Sequence, residues 1–328
     1  MIKNTTTYLA NLPIVTRMTD WTKATSFPGF QRVPFYDVLV FLYNEVFRNP
    51  MLMTQANAIA FSFFMSFFPT FIVLFSLIPF LPINKNEILG QIQFGINEIM
   101  PNQTGDDIFR TIKAFLKTKR TDFLSIGFVL AIYFSSNGLM ALMKSFEKNH
   151  IVFKKRNLWE VRIRAIGMTF MLGILLFIST VLVILGNQLF GWLFKIVKLS
   201  SFTAAFLGIL RWFIVVGSLY MGIAIIYRFG VAMRRRLDFF SPGASVATVC
   251  SLLSSIIFSF YVDNFSNYNK IYGSFVAGIV MLLWLQLNAI ILIFGFELNA
   301  AIAVHRDLRN KTDYTDNKVK DENFEEGL

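Results

Sequence analysis

The sequence predicts an all-α fold, a polytopic membrane helix bundle with about six transmembrane helices plus short amphipathic helices. Six apolar stretches are each long enough to cross the hydrocarbon core of a bilayer, which takes about 20 helical residues. Hydrophobic residues make up 55% of the chain and charged residues only 16%, against about 25% in a typical soluble domain. The Lys and Arg residues lie mainly between the apolar stretches, as they do in membrane proteins.

The chain before the first apolar stretch has two parts. Residues 1–33 form a polar N-terminal segment that lacks the n-region, h-region and cleavage site of a secretory signal. In residues 34–49, apolar side chains recur at helical spacing with Asp37, Asn44 and Glu45 between them. This pattern predicts an amphipathic helix along the inner surface of the membrane or packed under the bundle.

The transmembrane domain is predicted over residues 34–305. Its six spans are predicted at residues 56–81, 122–146, 163–190, 206–232, 242–262 and 274–300. An outer loop at 82–121 carries isoleucines at helical spacing, which predicts two short amphipathic helices. Residues 306–328 combine acidic and basic side chains with almost no apolar ones, so a disordered charged tail is predicted.

The distribution of Lys and Arg predicts the orientation. With two intramembrane residues set aside, 20 lie on the side of the two termini and nine lie on the other side. The positive-inside rule then places both termini in the cytoplasm of a multi-pass protein. The net charge of +11 is therefore interpreted as a topology signal, and no nucleic-acid partner is predicted.

The residues that usually carry catalysis or bind metals are scarce. The chain contains one cysteine, Cys250, and two histidines, His150 and His305. A zinc site takes about four closely spaced N, S or O ligands, and no such set is visible. The sequence predicts no catalytic residues, no metal site and no cofactor, and hence no enzyme.

Polar residues inside the membrane are functional candidates because each is costly to bury without a partner. The first predicted span carries Asn57 and a stripe formed by Ser62, Ser66 and Thr70. This stripe either lines a cavity beside the kink at Pro69 or satisfies hydrogen bonds during helix packing, and packing is favoured.

The second predicted span is interrupted by the polar run Ser135–Gly138, which includes Asn137. The run indicates either a helix distortion that opens on a cavity or a tight contact through small residues. The sequence does not decide between them.

The link between the fifth and sixth spans is rich in tyrosine and asparagine, including Asn264, Tyr268, Asn269 and Tyr272. These side chains donate and accept hydrogen bonds, so they suit an outer gate or recognition of a polar headgroup. An interfacial aromatic belt with turn-forming residues explains the same composition.

The sixth span contributes Glu297 and Asn299 near its cytoplasmic end. Glu297 either relays a proton or binds a cation, or it forms a structural ion pair with Arg164 or Arg228. The ion pair is the favoured interpretation.

Several motifs in order resemble the YihY/virulence factor BrkB family of bacterial membrane proteins. They are Ala58–Phe61 through Ser66–Pro69, Ser135–Gly138, Trp159 with Arg162, Pro242–Ala244, Tyr261–Ser274 and Glu297–Ala301. The resemblance covers residues of about 35–303 and implies a six-helix protein of the bacterial cytoplasmic (inner) membrane. Members have carried the label ribonuclease BN, but two isolated histidines make a metal-dependent nuclease a poor fit. Asp263, and the absence of a proline at Gly230–Val231, depart from the usual family pattern.

The leading functional hypothesis is a transporter or translocator of an ion, small solute or lipid-linked species. Membrane lipids and an unknown solute, ion or lipid substrate are the expected partners, and a homo-oligomer remains open. The alternative is a non-transporting envelope scaffold or lipid-organising protein, with a membrane-embedded enzyme third. The residues predicted to line the transport path are Asn57, Ser66, Asn137, Asn264, Tyr268, Asn269, Tyr272, Glu297 and Asn299.

Overall fold

The architecture was derived from a computed structural model of the chain. The structure describes residues 21–23, 25–26, 29–30, 33–77, 89–90, 93, 109–110, 113, 121–196, 202–264 and 274–325. The predicted outer loop at 82–121 and the predicted polar segment at 1–33 fall almost wholly outside these residues. The two short helices predicted in the loop therefore remain predictions.

Seven helices carry the described part of the chain. They are α1 (Phe35–Leu42), α2 (Met51–Leu77), α3 (Thr121–Ser145), α4 (Leu158–Ile196), α5 (Phe202–Ile225), α6 (Pro242–Asn264) and α7 (Ser274–Glu325). Two of them continue into single π-helical turns, α1 into Tyr43–Phe47 and α5 into Ile226–Gly230. Helices α2 to α7 are each long and apolar enough to cross a membrane, which confirms the predicted all-α bundle with six spans.

Two helix boundaries differ clearly from the sequence-based expectation. Helix α4 begins at Leu158 rather than near residue 163, so its first two turns include charged residues. Helix α7 continues to Glu325, through most of the tail for which disorder is predicted. Neither glycine nor proline occurs between Arg306 and Glu325, so nothing in the backbone interrupts the hydrogen-bond ladder there.

The six spanning helices form a closed ring. Each packs against its neighbour in the chain, from α2 through to α7, and α7 also packs against α2. Helix α1 lies against α7, as expected for the amphipathic segment packed under the bundle. Its buried residues Val38 and Leu42 are four positions apart and so share one face.

The buried hydrophobic core lies at one end of this ring. We call this end the basic end, since it carries the links 146–157 and 231–241 with their Lys and Arg residues. Core residues come from the first turns of α2, α4 and α6 and from the last turns of α3 and α5. Helix α7 contributes residues 289–304, among which Phe296 is fully buried. Toward the other end, the described side chains of the ring are mostly half-buried or exposed.

The two links are held together at the basic end. A single antiparallel bridge joins Phe153 to Met233, with Lys154 N–H donating to Ala232 O at 2.7 Å. The Arg156 guanidinium donates to the carbonyls of Gly230 and Val231 at 2.7 and 2.8 Å, which satisfies carbonyls that the end of α5 leaves free. Burial, with a contribution from Arg164, lowers the pKa of Arg156 from its ordinary value, although a guanidinium stays charged near neutrality.

We expect Arg156→Gln to destabilise the protein by about 2 kcal/mol, since hydrogen bonds from a charged donor contribute about 1.5–3 kcal/mol each and some are replaced by water. Arg156→Lys should recover only part of this, because an ammonium lacks the forked geometry that reaches two carbonyls. Thermal unfolding in detergent measures both. The exposed Arg235→Gln is the control, and an equal loss of stability in it would contradict the assigned role of Arg156.

Candidate functional site

Glu297 is the buried carboxylate of the structure, with only 4% of its surface exposed. It lies on α7 within residues 295–304, which are buried on every side of the helix. Helices α1, α2, α3 and α6 all contact α7, which explains why no face of this segment is left open. An ionised carboxylate in such a place requires a cation nearby.

Lys148 provides that cation. Its Nζ lies 2.7 Å from Glu297 Oε2 and 2.8 Å from Glu45 Oε2, so one ammonium bridges two carboxylates. The approach to Glu297 Oε2 has ion-pair distance but not hydrogen-bond alignment, and this oxygen has no hydrogen-bond partner among the described residues. The ammonium also lies 5.3 Å from the centre of the Phe41 ring. Lys148 thus links Glu45, on the π-turn after α1, to Glu297 on α7.

The three charged groups line a polar cavity of about 370 Å³, which we call the Glu297 cavity. Glu147 and His150 also line it, together with the first turns of α2. Three carboxylates and one ammonium line this cavity, so these four groups carry a negative balance. No group of three His, Cys, Asp or Glu side chains in the described part of the chain could hold a metal ion.

Aromatic side chains lie beside the cavity and close the basic end of the ring. Phe296 stacks on Phe146 with ring centres 4.4 Å apart, and Phe153 meets Phe296 edge-on at 6.2 Å. Tyr227 packs edge-on against Phe146, and its hydroxyl donates to Leu292 O at 2.8 Å. These four aromatic residues belong to the buried core at the basic end.

The prediction that Glu297 forms a structural ion pair is confirmed, but the predicted partner residues are wrong. An ion pair is present, but neither Arg164 nor Arg228 makes it. Arg164 pairs with Glu160 one turn earlier on α4, at 2.9 Å, and Arg228 donates to Leu237 O. Neither arginine lies on a helix that packs against α7, whereas Lys148 follows α3, which contacts α7.

Asn299 lies two residues from Glu297 but has a different role. Its Oδ1 accepts from Gly243 N–H at 2.9 Å, and its Nδ2 donates to Ser241 Oγ at 3.1 Å. Ser241 precedes Pro242, the first residue of α6, and such a position favours a Ser N-cap followed by proline. Asn299 therefore fastens the start of α6 to α7.

Asn137 and Asn57 lie away from the Glu297 cavity. Asn137 Oδ1 accepts from Arg162 on α4, whose guanidinium also lies 4.3 Å from the centre of the Tyr133 ring. Asn57 is exposed on the same face of α2 as Phe61, which is the outward face of an apolar helix. The structure does not bring these two side chains together with Glu297.

The hydroxyl stripe of α2 is satisfied within its own helix. Ser66 donates to Phe63 O at 2.6 Å, and Ser62 and Thr70 bond carbonyls four residues back. The bonds of Ser62 and Ser66 agree with packing, whereas Thr70, although bonded in the same way, also lines an apolar cavity between α2, α3 and α4.

Helix α3 is continuous through Ser135–Gly138. A Cβ at Gly138 would lie 2.7 Å from the Phe63 ring of α2. Of the two alternatives, the distorted helix is therefore wrong, and the tight small-residue contact agrees with the structure at Gly138. Ser135, at the start of the run, lines the apolar cavity between α2, α3 and α4.

The outer tyrosine and asparagine cluster lies largely outside the described residues. Asn264 is the last residue of α6, and its side chain lies outside the described residues. Tyr268, Asn269 and Tyr272 lie wholly outside them. Their proposed gating or headgroup-binding role remains a prediction.

Sequence reasoning missed Lys148 and Glu45, the two residues that complete the charged cluster. The only feature of the sequence that indicates them is their position relative to the predicted spans. Glu45 is a charge in the amphipathic segment, and Lys148 is the first cation after the second span. Neither lies within an apolar stretch, so neither counts as an intramembrane polar residue.

The chain matches a family model and is similar to several known proteins. The family model described as "Virulence factor BrkB" matches residues 45–320. A Bacillus subtilis protein whose name describes it as ribonuclease-like, YfkH, is 27% identical over 80% of this chain and 94% of its own length. A UPF0761 membrane protein of Histophilus somni is 25% identical over 82% of this chain and 91% of its own. No solved structure matches the chain.

Proposed function

Since the chain belongs to the virulence factor BrkB family of integral membrane proteins, we propose that it is a transporter or translocator that moves an ion, small solute or lipid-linked species through the helix ring. We place it in the bacterial cytoplasmic (inner) membrane. The excess of Lys and Arg at the basic end supports a cytoplasmic location for that end and for both termini.

One observation carries the proposal: a buried carboxylate, Glu297, borders a cavity lined by charged side chains at the basic end of the bundle. Such a group is costly at this depth and is a functional candidate by default. The negative balance of the cavity lining favours a cation or a cationic group as the species bound there.

The surroundings of Glu297 support a gate at the basic end. Stacked Phe146 and Phe296 close the ring beside the cavity, so passage requires these rings to separate. Glu45 and Tyr227 both lie on π-helical turns, which occur frequently at functional sites. Release of Lys148 from Glu297 when a cation enters would couple binding to movement of the links.

Flux through proteoliposomes tests the proposal. We expect the wild-type chain to accumulate or release at least one member of a broad panel of cations, small solutes and lipids. Glu297→Gln should reduce that flux at least tenfold, because it removes the charge that receives the cargo. Glu160→Gln is the matched control, since it changes the same group at the same end of the bundle on an exposed surface.

The proposal fails if wild-type vesicles match empty vesicles across the panel. It also fails if Glu297→Gln and Glu160→Gln transport equally well. Size-exclusion profiles of both variants in detergent separate a transport defect from loss of the folded bundle.

A scaffold function is the second candidate, and one observation favours it. Helix α1 buries one face against α7 but exposes Leu39, Val40 and Tyr43 on the other. This apolar face suits contact with lipid or with another membrane protein. A stoichiometric partner crosslinked to α1, without measurable flux, would favour a scaffold over a transporter. RNA cleavage by the purified chain would instead favour the activity suggested by the name of the Bacillus subtilis relative.

A further inference from the structure

A second cavity at the basic end has the opposite charge to the Glu297 cavity. It measures about 170 Å³ and lies between the links 146–157 and 231–241, at the start of α4 and the end of α5. Seven Lys and Arg side chains line it, against a single carboxylate from Glu160. We call it the basic cavity; its lining shares no residue with that of the Glu297 cavity.

The fold builds this cavity through the pairing of the two links. Lys154 N–H donates to Ala232 O, and Arg234 N–H donates to Val152 O at 2.9 Å. These two bonds bring the basic runs 154–156 and 234–236, which are about 80 residues apart in the chain, to opposite sides of one space. The concentration of charge is thus a product of tertiary structure.

Three of the seven cations have protein partners. Arg156 donates to Gly230 O and Val231 O, Arg164 pairs with Glu160, and Arg228 donates to Leu237 O. The other four make no side-chain hydrogen bond or ion pair with any described residue: Lys154, Lys155, Arg234 and Arg236. Like charges held this close repel one another, and an anion among them would remove that repulsion.

The depth of the basic cavity indicates the source of the anion. Arg164 and Arg228 lie within the membrane-crossing segments Leu158–Thr180 and Trp212–Gly230, whereas Lys154 and Arg234 lie on the links outside them. Trp159, beside the cavity at the start of α4, is 75% exposed, as an indole at the membrane interface would be. The cavity therefore lies at the level of the lipid headgroups.

We propose that the basic cavity binds the phosphate of an anionic membrane lipid. Arginine and lysine suit this ligand because their N–H groups match phosphate oxygens in charge and geometry. A preference for positive charge at the cytoplasmic face explains how many cations the links carry, but not why they converge on one cavity. Arg235 illustrates the difference, since it follows Arg234 directly but lines a different cavity together with Asp238. The site is independent of whether the chain transports anything.

Lipid titration of the full chain tests this assignment. The purified protein in neutral detergent is titrated with phosphatidylglycerol, with phosphatidylcholine and with inorganic phosphate at constant ionic strength, and bound ligand is counted by native mass spectrometry. The test variant is Lys154→Gln with Arg234→Gln. The charge-matched control is Lys144→Gln with Arg235→Gln, two exposed cations at the same end that do not line the cavity.

We expect the test variant to bind phosphatidylglycerol roughly thirtyfold more weakly than wild type, since two basic residues near a lipid surface together contribute about 2 kcal/mol and about 1.4 kcal/mol is tenfold in affinity. The control variant should stay within about twofold of wild type. The charge-preserving Lys154→Arg with Arg234→Lys should retain binding, which excludes a folding defect as the cause.

Three other outcomes would each overturn part or all of the proposal. Loss of inorganic phosphate binding in the test variant, with unchanged phosphatidylglycerol binding, would support a phosphate site but overturn the lipid source. Equal affinities of the test and control variants for both probes would overturn the site altogether. Equal binding of phosphatidylcholine and phosphatidylglycerol to the wild type would do the same.

Discussion

Replacing Gly243 with alanine is expected to force α6 away from α7 and to destabilise the bundle by about 3 kcal/mol or more, because the new methyl group has no space and overpacking of this kind is costly. Its Cβ would overlap the carbonyl oxygen of Gly295 and lie 2.6 Å from the Asn299 side chain. A carbonyl in a helix cannot move aside as a flexible side chain can. The same change would also strain the bond from Gly243 N–H to Asn299 Oδ1.

Unfolding of the detergent-solubilised protein measures the effect. Gly217→Ala is the matched control, because nothing lies within 4 Å of the Cβ it would introduce. The control should unfold at or slightly above the wild-type temperature, since alanine favours a helix over glycine. A Gly243→Ala protein as stable as the control would show that the two backbones do not meet as closely as described.

Replacing Lys148 with methionine is expected to cost about 3–5 kcal/mol, the usual penalty for removing one partner of a buried ion pair. The loss arises because Glu297, in a site that water barely reaches, must then either keep an unpaired charge or take up a proton, and both cost free energy. Glu45, the second partner of Lys148, is more exposed and should contribute less. Lys144→Met, on the exposed face of α3, should change the stability by less than about 0.5 kcal/mol.

A double-mutant cycle separates the charge effect from lost packing. Adding Glu297→Gln to Lys148→Met removes the unpaired charge, so the double variant should regain most of the stability. Additive losses in the two single variants and the double variant would contradict a direct interaction between Lys148 and Glu297.

The sequence alone predicts the membrane-crossing helices well, because the hydrocarbon core imposes one requirement on every span. A long apolar run such as 274–300 satisfies it wherever the helix lies in the bundle. Helix ends are harder to predict. The third span is predicted from its apolar residues. The start of α4, where Glu160 and Arg164 pair with each other, is too charged to be recognised as part of that helix.

The candidate site is only partly predictable. Glu297 and Asn299 are recognisable in the sequence because polar groups in an apolar helix are costly without partners. Both are buried and partnered in the structure. Their partners come from other elements, namely Lys148 after α3 and Gly243 on α6. Which element lies beside α7 depends on the order of helices around the ring, and single-sequence hydropathy contains no information about that order.

Two motifs that are separate in the sequence meet in the structure. The small residues at the start of α6 and the polar residues near residue 297 of α7 form one contact, in which Asn299 bonds both Ser241 and Gly243. Inspection of the α7 motif alone suggests a transport-path residue at Asn299. Their pairing gives that residue a structural role instead.

The closed ring has a consequence for biogenesis. A ribosome delivers α2 before α7, yet these two helices pack side by side. Each helix from α3 to α7 meets its predecessor in the chain as it inserts, while the contact of α2 with α7 must wait until α7 is in the membrane. Until then Lys148 and Glu45 lack the carboxylate of Glu297, and the start of α6 lacks Asn299. Insertion of α7 thus closes the ring, and a bundle that lacks it is a partly assembled intermediate with these groups left unpartnered.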